Sequence, residues 1–169
     1  GRQALLAALA VCLVYVGHQR AASVHGKDIV AAQLRARDPG ATTVDVAMSA
    51  FPSNPLCWSF VSVERQDSGG WFRLRRGVLS LAPDLVPVHA CPAGFAEPGR
   101  QQALAPGLAL AWEQQTPLAE LRRRKAESCH FDAWLRFARA PALYERDATD
   151  VRFGADAGSN FSTIRFADF

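Results

Sequence analysis

The first polar/apolar block of the chain has no polar face at all. Ala4 to Val16 is apolar apart from Tyr15, and no charge falls between Gln3 and Gln19. At 1.5 Å per residue this stretch spans about 25 Å, close to the roughly 30 Å hydrocarbon core of a bilayer. Arg2 and Arg20 can snorkel from its ends, and Tyr15 sits near one interface. A secretory signal peptide and a buried core helix give the same pattern. No small-x-small cleavage site precedes Arg20-Ala-Ala-Ser-Val, and the reading adopted is a membrane-spanning helix over residues 1–19, the last of several.

From Ala21 to Arg37 the pattern becomes weakly helical, with Val24, Asp28 and Ala31 on one face and Ile29, Ala32 and Leu34 on another, and Asp38-Pro39-Gly40 stops it. Thr42 to Ser49 alternates Val44, Val46 and Met48 with Thr43, Asp45 and Ala47, the period of a half-buried strand. Phe51 to Trp58 then forms a corner. Pro52 and Pro55 fix their own φ and push Phe51 and Asn54 towards extended geometry, while the Asn54 amide can bond its neighbouring backbone. Trp58 is the expected apolar plug where the next strand begins.

Trp58 to Arg65 and Trp71 to Leu81 are β-rich and flank Asp67-Ser68-Gly69-Gly70, which reads as a four-residue hairpin loop. Three antiparallel strands over 42–49, 58–66 and 71–81 follow. Prolines and glycines crowd 82–115, which reads as an irregular crossover. Thr116-Pro117 looks like an N-cap with proline at the first helical position. Phe131, Trp134, Leu135 and Ala138 recur at helical spacing before Pro141, and 142–146, 150–153 and 161–166 read as short strands.

Composition changes this picture little. With 49% apolar and 21% charged residues the chain is ordinary globular material, and a net charge of +3 is too small to imply nucleic acid. Gly1 as first residue and Met48 as sole methionine read as a fragment or processed product. Of four cysteines, Cys12 lies in the apolar opening. Cys57, Cys91 and Cys129 read as buried small hydrophobes, with a Cys91–Cys129 bridge as the alternative.

Candidate chemistry is sparse. His89-x-Cys91 and Cys129-His130 carry metal-ligating atom types, but adjacent ligands on a helix point about 100° apart, and a loop histidine with a semi-buried thiol is the simpler reading. No Gly-x-Ser-x-Gly, phosphate-cradling glycine loop or His-Glu-x-x-His is present. The Arg122–Lys125 run reads as a solvated helix face, with lipid headgroups as the alternative partner. Asp150 and Arg152, two apart on an expected strand, share a face and can pair or jointly orient a polar group.

The order of these pieces resembles the C-terminal part of the bacterial membrane-bound metal-dependent hydrolase family, inner-membrane proteins with a hydrophobic helical N-terminal region. The likeness rests on the last apolar helix, the Pro-x-x-Asn-Pro-x-x-Trp corner at 52–58, the hairpin, Phe137-Ala-Arg139 and Asp150-x-Arg152-Phe153-Gly154. Two departures are the basic second hairpin strand and the long 82–115 loop.

The resemblance implies a divalent metal held by histidines and acids upstream, in the membrane-embedded region of the full-length protein. It implies no cofactor and no catalytic residue within this chain. Asn54, Trp58, Asp150 and Arg152 match the family pattern without an assigned role. The expected fold is α+β: an N-terminal apolar (transmembrane) helix, then residues 20–169 as a small, mostly antiparallel sheet with two or three helices. The expected partners are membrane lipid and that upstream region, with an unidentified small-molecule or lipid substrate. The expected function is the soluble portion of a metal-dependent hydrolase, with a signal-anchored, non-enzymatic binding or scaffold domain as the alternative. Arg20, Lys27, Arg35 and Arg37 after the span lean the soluble part towards the cytoplasm.

Overall fold

Arg2–Arg37 form one helix, α1, with no break where the uncharged stretch ends. The computed structural model describes residues 1–66, 69–92, 101–158 and 160–168. The two halves of α1 live in different surroundings. Leu5, Leu9, Leu13 and Val16 are each more than half exposed, whereas Gly26, Val30 and Leu34 are buried. By length and composition α1 can cross a membrane, and none of its most apolar window is buried by the rest of the chain.

The second half of α1 lies on a five-stranded antiparallel sheet in the order β1-β2-β3-β5-β4, built from β1 (Ala41–Phe51), β2 (Asn54–Gln66), β3 (Trp71–Ser80), β4 (Gln102–Ala105) and β5 (Leu108–Pro117). The fold is therefore α+β, as the sequence pattern implies. On the helix-facing side Val30 and Leu34 pack with Val46, Trp58, Phe60, Leu79, Leu108 and Leu110. Close approach of helix to sheet needs Gly26, where a Cβ would stand 2.8 Å from Met48 Cε.

The proline corner behaves as its residues dictate. Asn54 Oδ1 accepts from the Leu56 N–H at 3.0 Å, and the Trp58 indole N–H donates to the Pro55 carbonyl at 3.0 Å. Trp58 is 4% exposed, so it does plug the core.

Several expectations need correction. The 82–115 segment is not all irregular crossover, because β4 and β5 occupy its second half and β5 pairs with β3 along its length. Alternation hides β5 because a bulge between Arg76 and Gly77 leaves Ala111 without a partner on β3. Leu108 and Leu110 face α1 before the bulge, and Glu113 takes that side after it, which breaks the period of two. Thr116 is a buried strand residue and no cap; Pro117 precedes the first residue of α2 (Leu118–Glu127). Asp67 and Ser68 of the expected hairpin loop lie outside the described residues, while Gly70 takes φ +62°, the left-handed conformation glycine suits.

The other face of the sheet carries α3 (Cys129–Leu135) and a three-stranded sheet of β6 (Pro141–Leu143), β7 (Asp147–Asp150) and β8 (Ile164–Arg165). Phe131, Ala142, Leu143, Ala148 and Val151 bury Val61, Phe72 and Leu74 there. Asp147–Asp150, expected as a separating loop, is thus a strand, and the expected strand 150–153 is a turn beyond Asp150.

The cysteine reading is also corrected. Cys57 and Cys91 are disulfide-bonded, with Cα atoms 5.6 Å apart, and Cys129 is free and exposed. Cys57 is the fourth residue of β2, and a 3-10 turn at Val88–Ala90 brings Cys91 back beside it, packed with Val78, Val88 and Ala109. Cys129 begins α3, among a separate set of packed residues.

Candidate ligand-binding site

Between the disulfide end of the sheet and the β6–β8 lobe lies a cavity of about 970 Å³. Its floor is the middle of β2, β3 and β5, and one wall is the turn that follows β7. The β5 bulge matters here. It turns Trp112 onto the cavity side, level with Arg76 on β3. Gly77 lets the Phe60 ring lie across the strand, since a Cβ there would stand 2.6 Å from that ring and 2.2 Å from the Ala109 carbonyl oxygen.

The second wall is fixed by a buried polar knot. Asp150 is fully buried. Its carboxylate accepts from the Arg152 N–H at 3.1 Å, from Arg152 Nε and Nη2 at 2.9 and 2.6 Å, and from the Arg139 N–H at 3.0 Å. Asn160 Nδ2 donates to the Asp150 and Gly154 carbonyls at 2.9 and 2.8 Å, and Gly154, at φ +146°, makes the bend that lets the loop return. Each buried polar group of the knot has its partner, which is what holds a loop in one shape.

Arg152 is therefore aimed. Its Nη2 also donates to the Phe137 carbonyl at 3.2 Å, and its guanidinium lies 5.0 Å from the Phe153 ring centre and 5.8 Å from that of Phe137. Among the described residues nothing accepts from its Nη1. Arg139, half exposed, is steered by Asp45 at 2.5 Å. Phe153 packs on Phe161 with ring centres 4.6 Å apart, and Phe161 is 77% exposed at the rim.

The electrostatics are one-sided. Among the described residues Lys27, Arg76, Arg139 and Arg152 line the cavity with one carboxylate, Asp156. Burial draws the Arg76 guanidinium below its ordinary range, with Tyr144 acting the other way. Burial also pushes the Tyr144 phenol up, aided by Asp156, so it stays protonated and donates to the Ala155 carbonyl at 2.5 Å. Among the described residues the lining contains no histidine, cysteine or glutamate. Such a lining can hold an anion with an apolar attachment.

The residues singled out in the sequence divide cleanly. Asp150 and Arg152 do meet, as the capped turn beyond β7 described above. Asn54 and Trp58 hold the corner together, away from the cavity lining. His89 and Cys91 do not join Cys129 and His130. Cys91 is committed to its disulfide, and the Cys129 thiol touches His130 Nδ1 at 3.8 Å on the surface. Among the described residues no three His, Cys, Asp or Glu side chains converge.

The Arg122–Lys125 run is a charged helix face knit to its own neighbours. Arg123 pairs with Glu120 and Glu127, Arg124 with Glu120 and over the Phe166 ring, and Lys125 with Asp132. Sequence reasoning missed Arg76, Trp112, Tyr144 and Phe161. The available signal was Arg75-Arg76 inside a strand that is otherwise apolar from Gly77 to Leu79. No family model, curated protein or solved structure matches this chain.

Proposed function

We propose that this chain is the membrane-tethered portion of a larger membrane protein, of the metal-dependent hydrolase kind its motifs resemble, and that it holds a recognition cavity at the membrane surface. The hydrolytic chemistry belongs to residues outside this chain. The observation that carries the reading is the continuity of α1: an exposed apolar half runs without a break into a half packed on the sheet, so anchor and folded part move as one body.

The bacterial inner membrane is the compartment the resemblance suggests. The side faced by the folded part is inferred from the disulfide. Buried disulfides persist where the surroundings are oxidising, which favours the non-cytoplasmic side. This runs against the lean of Arg20, Lys27, Arg35 and Arg37. The disulfide carries more weight, because Lys27 already has a place in the cavity wall. A non-enzymatic binding domain is the second reading, favoured by a lining whose described residues include no histidine, cysteine or glutamate.

The test is made on the chain expressed in bacteria. It should stay in the membrane pellet after alkaline carbonate, and a chain beginning at residue 20 should not. Cys129, exposed and unbonded, should react with an impermeant maleimide in intact spheroplasts, and Cys57 and Cys91 only after reduction. Release of the full chain by carbonate would overturn the tether. Labelling of Cys129 only after permeabilisation would reverse the side.

A further inference from the structure

We propose that the cavity binds the headgroup of a phosphate-bearing membrane lipid, with Arg76, Arg139 and Arg152 on the phosphate and Trp112, Phe153 and Phe161 against the glycerol and first acyl carbons. The inference deepens the tethered reading above and rests on it for the source of the ligand. Three independent features point the same way.

Charge is the first. Among the described residues three arginines, Arg76, Arg139 and Arg152, line the cavity with one carboxylate, Asp156, and Lys27 joins the lining from α1. The carboxylates that pair with Arg139 and Arg152 orient them without entering the cavity, since neither Asp45 nor Asp150 lines it. Planar guanidinium groups match phosphate oxygens in pairs, and among the described residues none takes the Nη1 of Arg152 in place of such an acceptor. Size and walls are the second. About 970 Å³ is far more room than an inorganic phosphate fills, and is the scale of a drug-sized ligand with apolar surface to cover. The exposed ring of Phe161 in the lining has no role in the fold's main cores.

Position is the third. Ser23 and Lys27 of α1 belong to the lining. They stand three and seven residues beyond Arg20, which along a helix is about 5 and 10 Å from the end of the apolar stretch. A headgroup raised only slightly from its leaflet reaches that height, and cationic side chains so close to an anionic surface are drawn to it.

The experiment uses the full chain purified in maltoside micelles and native mass spectrometry. The probes are dihexanoyl phosphatidic acid, dihexanoyl phosphatidylcholine and glycerol 3-phosphate. One phosphatidic acid per chain should be retained about tenfold more tightly than phosphatidylcholine, whose choline cancels its charge. Arg139→Gln and Phe161→Ala alter exposed side chains and should leave the urea midpoint in place. Each should weaken retention, the first by about tenfold, the weight of one charge-assisted hydrogen bond.

Equal retention of the two lipids, or retention untouched by both variants, would overturn the proposal. Displacement of the lipid by an equal concentration of glycerol 3-phosphate would overturn the lipid assignment in favour of a soluble phosphate ester. Failure of the carbonate test with this selectivity intact would sink the tether and leave the anion site standing, so the two readings fail separately.

Discussion

Among the described residues Arg75 is the largest fully buried side chain, and it is buried together with Glu64. Its guanidinium bonds the Glu64 carboxylate and reaches Glu113 at 2.6 Å, while Ser62 donates to the second Glu64 oxygen at 2.8 Å. Desolvating two charges costs several kcal/mol, and the pair only offsets that when every oxygen and N–H is met. Arg75→Met strands Glu64 and should cost about 3–5 kcal/mol by urea titration. Adding Glu64→Leu should return most of the loss; a double variant as unstable as the single would mean the two are not coupled. Nothing in the sequence marks this pair, because a register ten or so residues apart in sequence has no local signature. The Asp150–Arg152 pair was legible, though for a different geometry than the one found. Two residues apart on a strand share a face, but these two meet because the Asp150 carboxylate caps the turn that carries Arg152.

At the scale of elements, α2 has no fully buried residue, and its charge pairs add to the packing of Leu118 and Leu121 on the core. Hydrogen bonds from Arg123 and Arg124 hold the Glu120 carboxyl down at about 2, from an ordinary 4.5. A carboxyl whose pKa is lower folded than unfolded contributes stability above its unfolded value and loses it as pH falls through the folded one. The urea midpoint of the native chain should therefore exceed that of Glu120→Gln at pH 7, and the gap should close between pH 4.5 and about 2. A gap that persists at the acid end would mean Glu120 acts other than through its charge. The hairpin, the corner and α3 were legible because period and turn chemistry agree along them. β5 was not, since Leu-Ala-Leu-Ala-Trp-Glu-Gln-Gln lacks β-branched residues and its bulge shifts the alternation midway. The cavity was hidden for the same reason: two of its floor residues, Arg76 and Trp112, flank that shift.

For the whole molecule, the Cys57–Cys91 bridge closes a loop with a sequence separation of 34 and ties the 82–92 segment to the first residues of β2. Loop-closure entropy alone makes this worth about 3–4 kcal/mol. Replacing both cysteines with serine should lower stability by that amount, read by urea titration against the oxidised chain. No change would mean that the segment is held by its apolar packing alone. The unbroken α1 has a different consequence. A helix advances 100° and 1.5 Å with each residue, so in the tethered arrangement proposed above the bearing of the cavity around the bilayer normal is written in the number of residues between the oily half and the docked half. One residue added at that joint would swing the opening a quarter-turn and more, and seven would bring it nearly back, only higher. The compass setting of this protein is thus a matter of counting, which no substitution along the helix would alter.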